Sequence, residues 1–304
     1  GDASFRSFFR KKVNGKSSII VSAKKEKFKN LLVYDAINKI LNKNKILAPR
    51  LYTQRYDKNF IEIQDFGNET VFKTLKKKGK NKLSYFNRII KLLIQIQSIK
   101  HRKVKNFRNQ NYIIPKYDKK ILINEANLFC DWYAKNNLSK LRKKRFCKKF
   151  KKIIKELTLK LKLKDNIFVH RDFHVSNLMS VKNQIGLIDS QDALIGNKAY
   201  DLASLIDDVR LKTSYSFKEK IFKFYIKKQK NLDIKKFKND FEILSVLRNL
   251  KIIGIFTRLA LRDRKKNYLR FIPYTWQLIN MRIDQNRTFI DLKNLLSQNF
   301  KKIK

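Results

Sequence analysis

Glycine and proline are scarce in this chain, at 7 and 3 of 304 residues. A glycine-rich phosphate loop of the G-x-G-x-x-G kind is therefore absent. Cysteine is scarcer still. Cys130 and Cys147 stand alone without metal-ligand spacing, as expected in a reducing cytosol. No apolar run reaches the length of a membrane span, so no membrane association is expected. No signal peptide is visible. The chain starts at Gly1 without Met, which leaves room for residues before it. Acidic residues number 25 against 73 Lys plus Arg, a formal charge of +48. That balance by itself points to nucleic acid or anionic membranes. The lysines are not gathered in a tail or stripe, however. They are mixed with Ile, Asn and Phe throughout, the residue usage of an AT-rich genome. The charge is therefore read as compositional, with no specific nucleic-acid partner. Hydrophobic residues make up 43% of the chain, enough for a folded protein with sizeable cores.

What is present centres on residues 168–189. Two apolar pieces flank the polar loop His170-Arg171-Asp172-Phe173-His174-Val175-Ser176-Asn177, and Ile185-Gly186-Leu187-Ile188 leads to Asp189. The loop fits H-R-D-x-x-x-x-N. Phosphoryl transfer needs such a set: an Asp to orient the attacking hydroxyl, and an Asn and a second Asp to hold Mg²⁺ against phosphates. Asp172 is the candidate base, and Asn177 and Asp189 are the candidate metal ligands. Mg²⁺ takes hard oxygen ligands and few protein ones, so one Asn and one Asp suffice. His170 is expected to brace the loop, and His174 can either brace it or act in the chemistry. The bland alternative is a set of ordinary loop polars bonding their own backbone.

The rest of the chain can be read in order. Residues 1–23 form a hairpin turning near Asn14-Gly15, with a strand at 18–21. Its first corner contains Ser4, whose hydroxyl can donate to a phosphate. Residues 26–42 have helical periodicity. The lysine expected on the strand before that helix has no firm position, and Lys24 and Lys25 are the candidates. Strands follow at 50–53 and 60–64, then Asp65-Phe66-Gly67, where backbone groups of a hinge would meet adenine. Ser84 is a candidate N-cap for a helix carrying Phe86, Ile89, Ile90 and Leu93. Residues 100–120 are lysine-rich and less periodic. Helical spacing returns around Glu125–Tyr133, at 146–161 and through the final third. Asp201 is assigned a structural role as the cap of a helix. Arg248, Lys251 and Arg258 interrupt an apolar face in 241–259. Arginines of this kind can clamp phosphate or carboxylate, but most are expected to be solvated.

The H-x-D-x-x-x-x-N pattern, the following Ile188-Asp189 and the Asp201-Leu202-Ala203 helix are similar to the aminoglycoside phosphotransferase/choline kinase superfamily. Gly1–Arg10, Glu125–Trp132 and Leu247–Arg264 resemble its bacterial anomeric N-acetylmuramate/N-acetylglucosamine kinase branch. The resemblance implies an α+β protein-kinase-like fold, with a β-rich N-lobe over 1–67 and a helical C-lobe over 68–304. It implies ATP and Mg²⁺ as cofactors and an anomeric hydroxyl as acceptor. The phosphate loop falls on Ser4, Phe5 and Arg6, and further nucleotide contacts on Lys24, Asp65 and Phe66. Sugar contacts are sought at Asp192, Glu125 and Arg258. For Asp192 and Glu125 the plainer reading is an exposed carboxylate. Ser190 replaces the aromatic usual in the family, which would loosen packing there. A cytoplasmic monomer in cell-wall recycling is expected. Other acceptors (an aminoglycoside, choline or homoserine) and a nucleic-acid-binding protein on a kinase scaffold are the competing readings.

Overall fold

A computed structural model describes residues 6–23, 30–79 and 81–300. The expected phosphate-loop residues Ser4 and Phe5, and Lys24 and Lys25, lie outside them. The chain forms two compact units, Gly1–Lys116 with Asn166–Ile195, and Tyr117–Asp165 with Gly196–Lys304.

The first unit opens with β1 (Arg6–Val13) and β2 (Lys16–Ala23). Asn14 and Gly15 both have positive φ, 47° and 74°. An Asn-Gly pair takes that conformation readily, and it gives the turn a twist that matches the flanking strands. The helix α1 (Asn30–Lys43), then β3 (Leu51–Arg55) and β4 (Phe60–Gln64), complete an antiparallel sheet of order β1-β2-β4-β3. Alternation buries one face. Val21 and Ile61 are fully covered, and they pack with Ile63, Leu31 and Tyr34. Along the edge strand β1 only Arg6 is buried, and Lys11 and Lys12 keep the outer part polar.

Next come α2 (Val71–Lys76) and α3 (Lys82–Gln97). Asn81, not Ser84, caps α3: its side chain accepts the Ser84 N–H at 3.1 Å. The region 100–120 holds a hairpin of three-residue strands, β5 (Lys103–Lys105) and β6 (Asn111–Ile113). The chain returns to this unit along β7 (Asp165–Val169), and a second hairpin follows the loop, β8 (Leu178–Val181) with β9 (Gln184–Leu187).

The second unit is almost wholly helical. It contains α4 (Lys119–Leu128), which runs through a π-helical segment at Phe129–Ala134 into the short α5 (Lys135–Asn137). Then follow α6 (Lys140–Leu159), α7 (Tyr200–Ile206), α8 (Tyr215–Lys227), α9 (Ile234–Leu261), α10 (Ile272–Ile283) and α11 (Ile290–Asn299). The 28-residue α9 is apolar around most of its circumference because it runs through the core. Gly254 lets it approach α4. A Cβ there would lie 2.4 Å from the Leu128 carbonyl carbon and 2.7 Å from the Phe129 nitrogen. Phe129 anchors the aromatic core, stacking on Phe150 at 5.5 Å and meeting Trp276 edge-on at 5.7 Å. Buried Asp240 accepts the N–H groups of Lys162 and Leu163, both at 2.8 Å, and the Asn197 amide at 2.7 Å. An antiparallel sheet in one unit and helices in the other make the α+β class expected from the sequence.

Candidate active site

Asp172 and Asn177 lie in the loop between β7 and β8, and Asp189 follows β9, all in the first unit. Local hydrogen bonds fix the loop. His174 N–H donates to the Asp172 carbonyl at 3.0 Å, and Asn177 N–H donates to the His174 carbonyl at 2.9 Å. The Asn177 amide nitrogen also donates to the Asp172 carbonyl at 3.0 Å. With its nitrogen committed to the loop, the amide offers its oxygen as the remaining acceptor. Ile188 N–H donates to the Asn177 carbonyl at 3.1 Å, which ties the Asp189 strand to the loop. His170 is fully buried, with Nε2 3.1 Å from the Ile188 carbonyl. Burial holds its pKa below the ordinary imidazole range, against the pull of Asp172 and Asp189. The His170 ring thus ties the loop to the strand that leads to Asp189.

Beside the candidate base and metal ligands, Arg171 at φ 74° and Asp189 at φ 61° adopt left-handed backbone. For a non-glycine residue this costs about 1 kcal/mol, and such conformations cluster at functional sites. The Asp189 carboxylate is held from two sides. Arg6 ion-pairs with it at 3.0 Å, and the Gln191 amide donates to the same oxygen at 3.2 Å. Arg6 is itself 6% exposed and donates to Asn30 at 3.0 Å. Arg6 is thus placed against a candidate metal ligand. Two oxygen donors, one amide and one carboxylate, suit a hard divalent cation.

The face of α1 supports Asp189 from behind. Buried Ser190 donates to Asn38 Oδ1 at 2.6 Å, and the Asn38 amide donates to the Pro49 carbonyl at 3.1 Å. Ser190 is fully buried and hydrogen-bonded, so the expected loose packing does not occur. Tyr34 lies one turn earlier. Burial and the Asp189 charge push its hydroxyl well above the ordinary tyrosine range. The only acid on α1, Asp35, pairs with Lys39 at 2.8 Å within the same helix.

At the expected hinge, Asp65 is gripped by Arg10 through two bonds of 2.6 and 3.0 Å and accepts the Gly67 N–H at 2.8 Å. Burial pushes the Asp65 carboxyl up, but Arg10 and Gly67 hold it below the usual range. The Asp65 side chain therefore fixes the turn. Phe66 lies against β9, where Gly186 makes room for it: a Cβ there would sit 2.9 Å from the ring.

The acceptor candidates are divided between the units. Asp192 is exposed in the first, beside Gln191 at 2.7 Å. Glu125 and Arg258 belong to the second. Glu125 is not an exposed carboxylate, because it pairs with Lys251 at 3.0 Å and accepts the Tyr117 hydroxyl. Arg258 is half-buried, and burial together with Arg262 lowers its pKa. Asp201 is the second residue of α7. The N-cap is Ala199, which makes no side-chain cap bond. Arg248, on a face whose arginines were mostly expected to be solvated, is 4% exposed, and Lys251 is 9% exposed. Sequence reasoning missed the supporting residues Tyr34, Asn38 and Gly186. A polar Asn38 one turn after Tyr34 on the helix that carries Ile37, Ile40 and Leu41 was the available signal.

Comparisons with known proteins decide the family. The sequence model of the phosphotransferase enzyme family matches residues 1–231. The chain belongs to that family. It is a phosphotransferase with a hydroxyl group as acceptor. Among curated relatives, the N-acetylmuramate/N-acetylglucosamine kinase of Pseudomonas aeruginosa is 26% identical over 97% of this chain and 86% of its own length. The protein of the same name from Neisseria meningitidis serogroup B is also 26% identical, over 90% of this chain and 80% of its own. Among solved structures, the gentamicin complex of APH(2'')-IIa superposes with a TM-score of 0.64 at 16% identity, covering 92% of this chain and 91% of its own. Plasmodium vivax ethanolamine kinase gives 0.62 at 12% identity, covering 93% and 85%. These likenesses show the protein-kinase-like fold.

Proposed function

We propose that this phosphotransferase transfers the γ-phosphoryl group of ATP to the anomeric hydroxyl of an N-acetylated amino sugar. The observation that carries the reading is the closed loop: Asp172 and Asn177 locked through the Asp172 carbonyl, with Asp189 tied beside them through Ile188 and Arg6. The names of the relatives, and their coverage of nearly the whole chain, support this acceptor.

In this reading Asp172 orients the 1-hydroxyl and takes its proton. The new oxygen–phosphorus bond forms as the bond between the γ-phosphorus and the bridging oxygen breaks, and ADP leaves. Asn177 Oδ1 and the Asp189 carboxylate would hold Mg²⁺, which supplies neutralising charge on the phosphates when bound. Arg6 and Gln191 set the orientation of Asp189. Ser4, Phe5 and Arg6 are the candidate phosphate contacts, Lys24 is the candidate lysine, and Phe66 borders the adenine with Asp65 holding its turn. Residues 1–67 then carry the nucleotide and 68–304 the acceptor. Glu125, Asp192 and Arg258 are the sugar-contact candidates. Catalysis is chiefly positioning and electrostatics. We place the enzyme in the cytoplasm as a monomer serving cell-wall recycling. Among the described residues no helix is long and apolar enough to cross a membrane.

The test is phosphorus NMR with Mg-ATP and a panel of N-acetylmuramate, N-acetylglucosamine, choline, homoserine and kanamycin. A sugar-1-phosphate signal is the expected result. Phosphate on choline, homoserine or kanamycin would move the acceptor to another branch of the family. RNA binding is expected to vanish by physiological salt, and tight binding that persists there would favour the nucleic-acid reading.

A further inference from the structure

The helix α6 (Lys140–Leu159), wholly within the second unit, carries more charge of one sign than composition gives. Ten of its 20 residues are Lys or Arg, against 73 of 304 in the whole chain. Its single acid, Glu156, comes near the end. Other helices pair part of their charge internally. Lys39 pairs with Asp35 on α1 at 2.8 Å, and Lys238 lies 3.9 Å from Glu242 on α9. Among the described residues no cation of α6 has an ion pair.

Helical geometry sorts these residues by face. Phe146, Phe150, Ile154 and Leu157 are buried and hold α6 against the aromatic core. On the opposite side, Leu141, Arg145, Lys148, Lys152, Lys155 and Leu159 recur at spacings of four and three. All six are exposed. Leu141 and Leu159 are both 60% exposed, and the 18 positions between them make about five turns, or about 27 Å. The two leucines therefore end one straight line, with four cations and no acid between them. Glu156 lies to one side, where it lines the groove between α6 and α11 with Lys149, Lys152 and Asp291.

This line fits an anionic partner, and its residue types choose among anions. A bilayer presents phosphates as a diffuse charged layer over an apolar interior. Lysine meets such a layer as a point charge, and each Lys or Arg near it adds to binding. A leucine at each end can enter the acyl boundary while the cations stay among the headgroups. A nucleic acid has no use for the two leucines. The line also lacks an aromatic to stack on a base and an Asn or Gln to read a base edge.

We propose that the outer face of α6, from Leu141 to Leu159, is a docking surface for an anionic lipid bilayer. Such docking is peripheral, and it is independent of which acceptor the enzyme phosphorylates.

The experiment is vesicle co-sedimentation of the full chain at physiological salt. Vesicles of phosphatidylglycerol with phosphatidylcholine are set beside phosphatidylcholine alone, and three variants are compared with wild type. The first combines Arg145→Gln, Lys148→Gln, Lys152→Gln and Lys155→Gln. The second, of equal net charge, combines Lys220→Gln, Lys223→Gln, Lys227→Gln and Lys228→Gln, on α8 and at its end. The third combines Leu141→Ser and Leu159→Ser. All the substituted residues are exposed, so melting temperature and kinase rate should stay at wild-type values. Wild type is expected to sediment with the anionic vesicles only. Partitioning should fall about 100-fold in the first variant, about twofold in the second and about tenfold in the third. Wild type that stays in solution with anionic vesicles overturns the proposal. Equal losses in the first two variants overturn it too, since the charge would then act through the whole surface. So does a leucine variant that sediments like wild type, because any polyanion would then fit the face as well.

Discussion

Two buried charge clusters in the helical unit have the same composition and differ in closure. Around Asp207, Arg282 makes bonds of 3.1 to 3.3 Å, Lys218 lies at 3.3 Å, and Ser245 donates at 2.5 Å. Every charged group there has a partner, and the Arg282 guanidinium also stacks 4.7 Å from the Phe241 ring. Around Glu125 there are again two cations and one carboxylate, but the carboxylate is taken by Lys251 and Arg248 is left out. The described residues thus close one cluster and leave Arg248 without an ion pair in the other. The first holds the fold together, and the second stabilises it less.

The largest way to sharpen this contrast is to remove the arginine from each cluster. Arg282→Met should cost about 4 kcal/mol, because Asp207 keeps only Lys218 and Ser245 in a buried setting. Chemical denaturation measures it, and a loss below about 1 kcal/mol would mean that the cluster is not closed by the chain. Arg248→Met should move the other way, by about 1 kcal/mol of added stability, since an unpaired buried charge is replaced by an apolar side chain of similar length. A loss of several kcal/mol there would assign Arg248 to the fold.

Backbone approach in the same unit gives a second, smaller effect. Gly254→Ala should cost about 3 kcal/mol, because the new Cβ collides with backbone at Leu128 that cannot rotate away. Gly186→Ala meets only the Phe66 ring, which can swing, so stability should change by about 1 kcal/mol or less. Its signature is instead a raised KM for ATP. If ATP binding is untouched, Phe66 does not border the nucleotide.

Acid separates the clusters further. Burial pushes the Asp207 carboxyl up, but Arg282 and Lys218 hold it below the ordinary value. A carboxyl with a depressed folded pKa stabilises the fold fully above the unfolded value of about 4, and that stabilisation is lost as pH falls through the folded pKa. Wild type should therefore lose stability below about pH 4 more steeply than Asp207→Asn, which has already lost this contribution. Parallel curves would contradict the assignment.

These contrasts also show which features were legible in the sequence. The Asn14-Gly15 turn and the β4 strand are local patterns that the structure reproduces. Asp172 and Asn177 share one loop, to which Ile188 ties the strand before Asp189, and their roles stand as proposed. Partners brought together by folding leave no local trace. Arg6 and Asp189 are 183 residues apart, and Ser190 and Asn38 are 152 apart. The β5–β6 hairpin was hidden because three-residue strands rich in lysine show no alternation. The burial of Arg248 and Lys251 was hidden because lysine is abundant everywhere in this chain, so a buried cation has no compositional signature. Asn81 took the cap from Ser84 because it lies three residues before the N–H that it accepts.

The central claim is that Asp172 carries the proton of the acceptor hydroxyl within a loop built by other residues. The most direct measurement is single-turnover phosphoryl transfer to N-acetylmuramate by Asp172→Asn beside wild type, with ATP affinity and melting temperature followed in parallel. The account predicts a fall in rate of about 10³-fold or more, with ATP affinity and melting temperature unchanged. A rate within about tenfold of wild type would contradict it, because the hydroxyl would then find its base elsewhere.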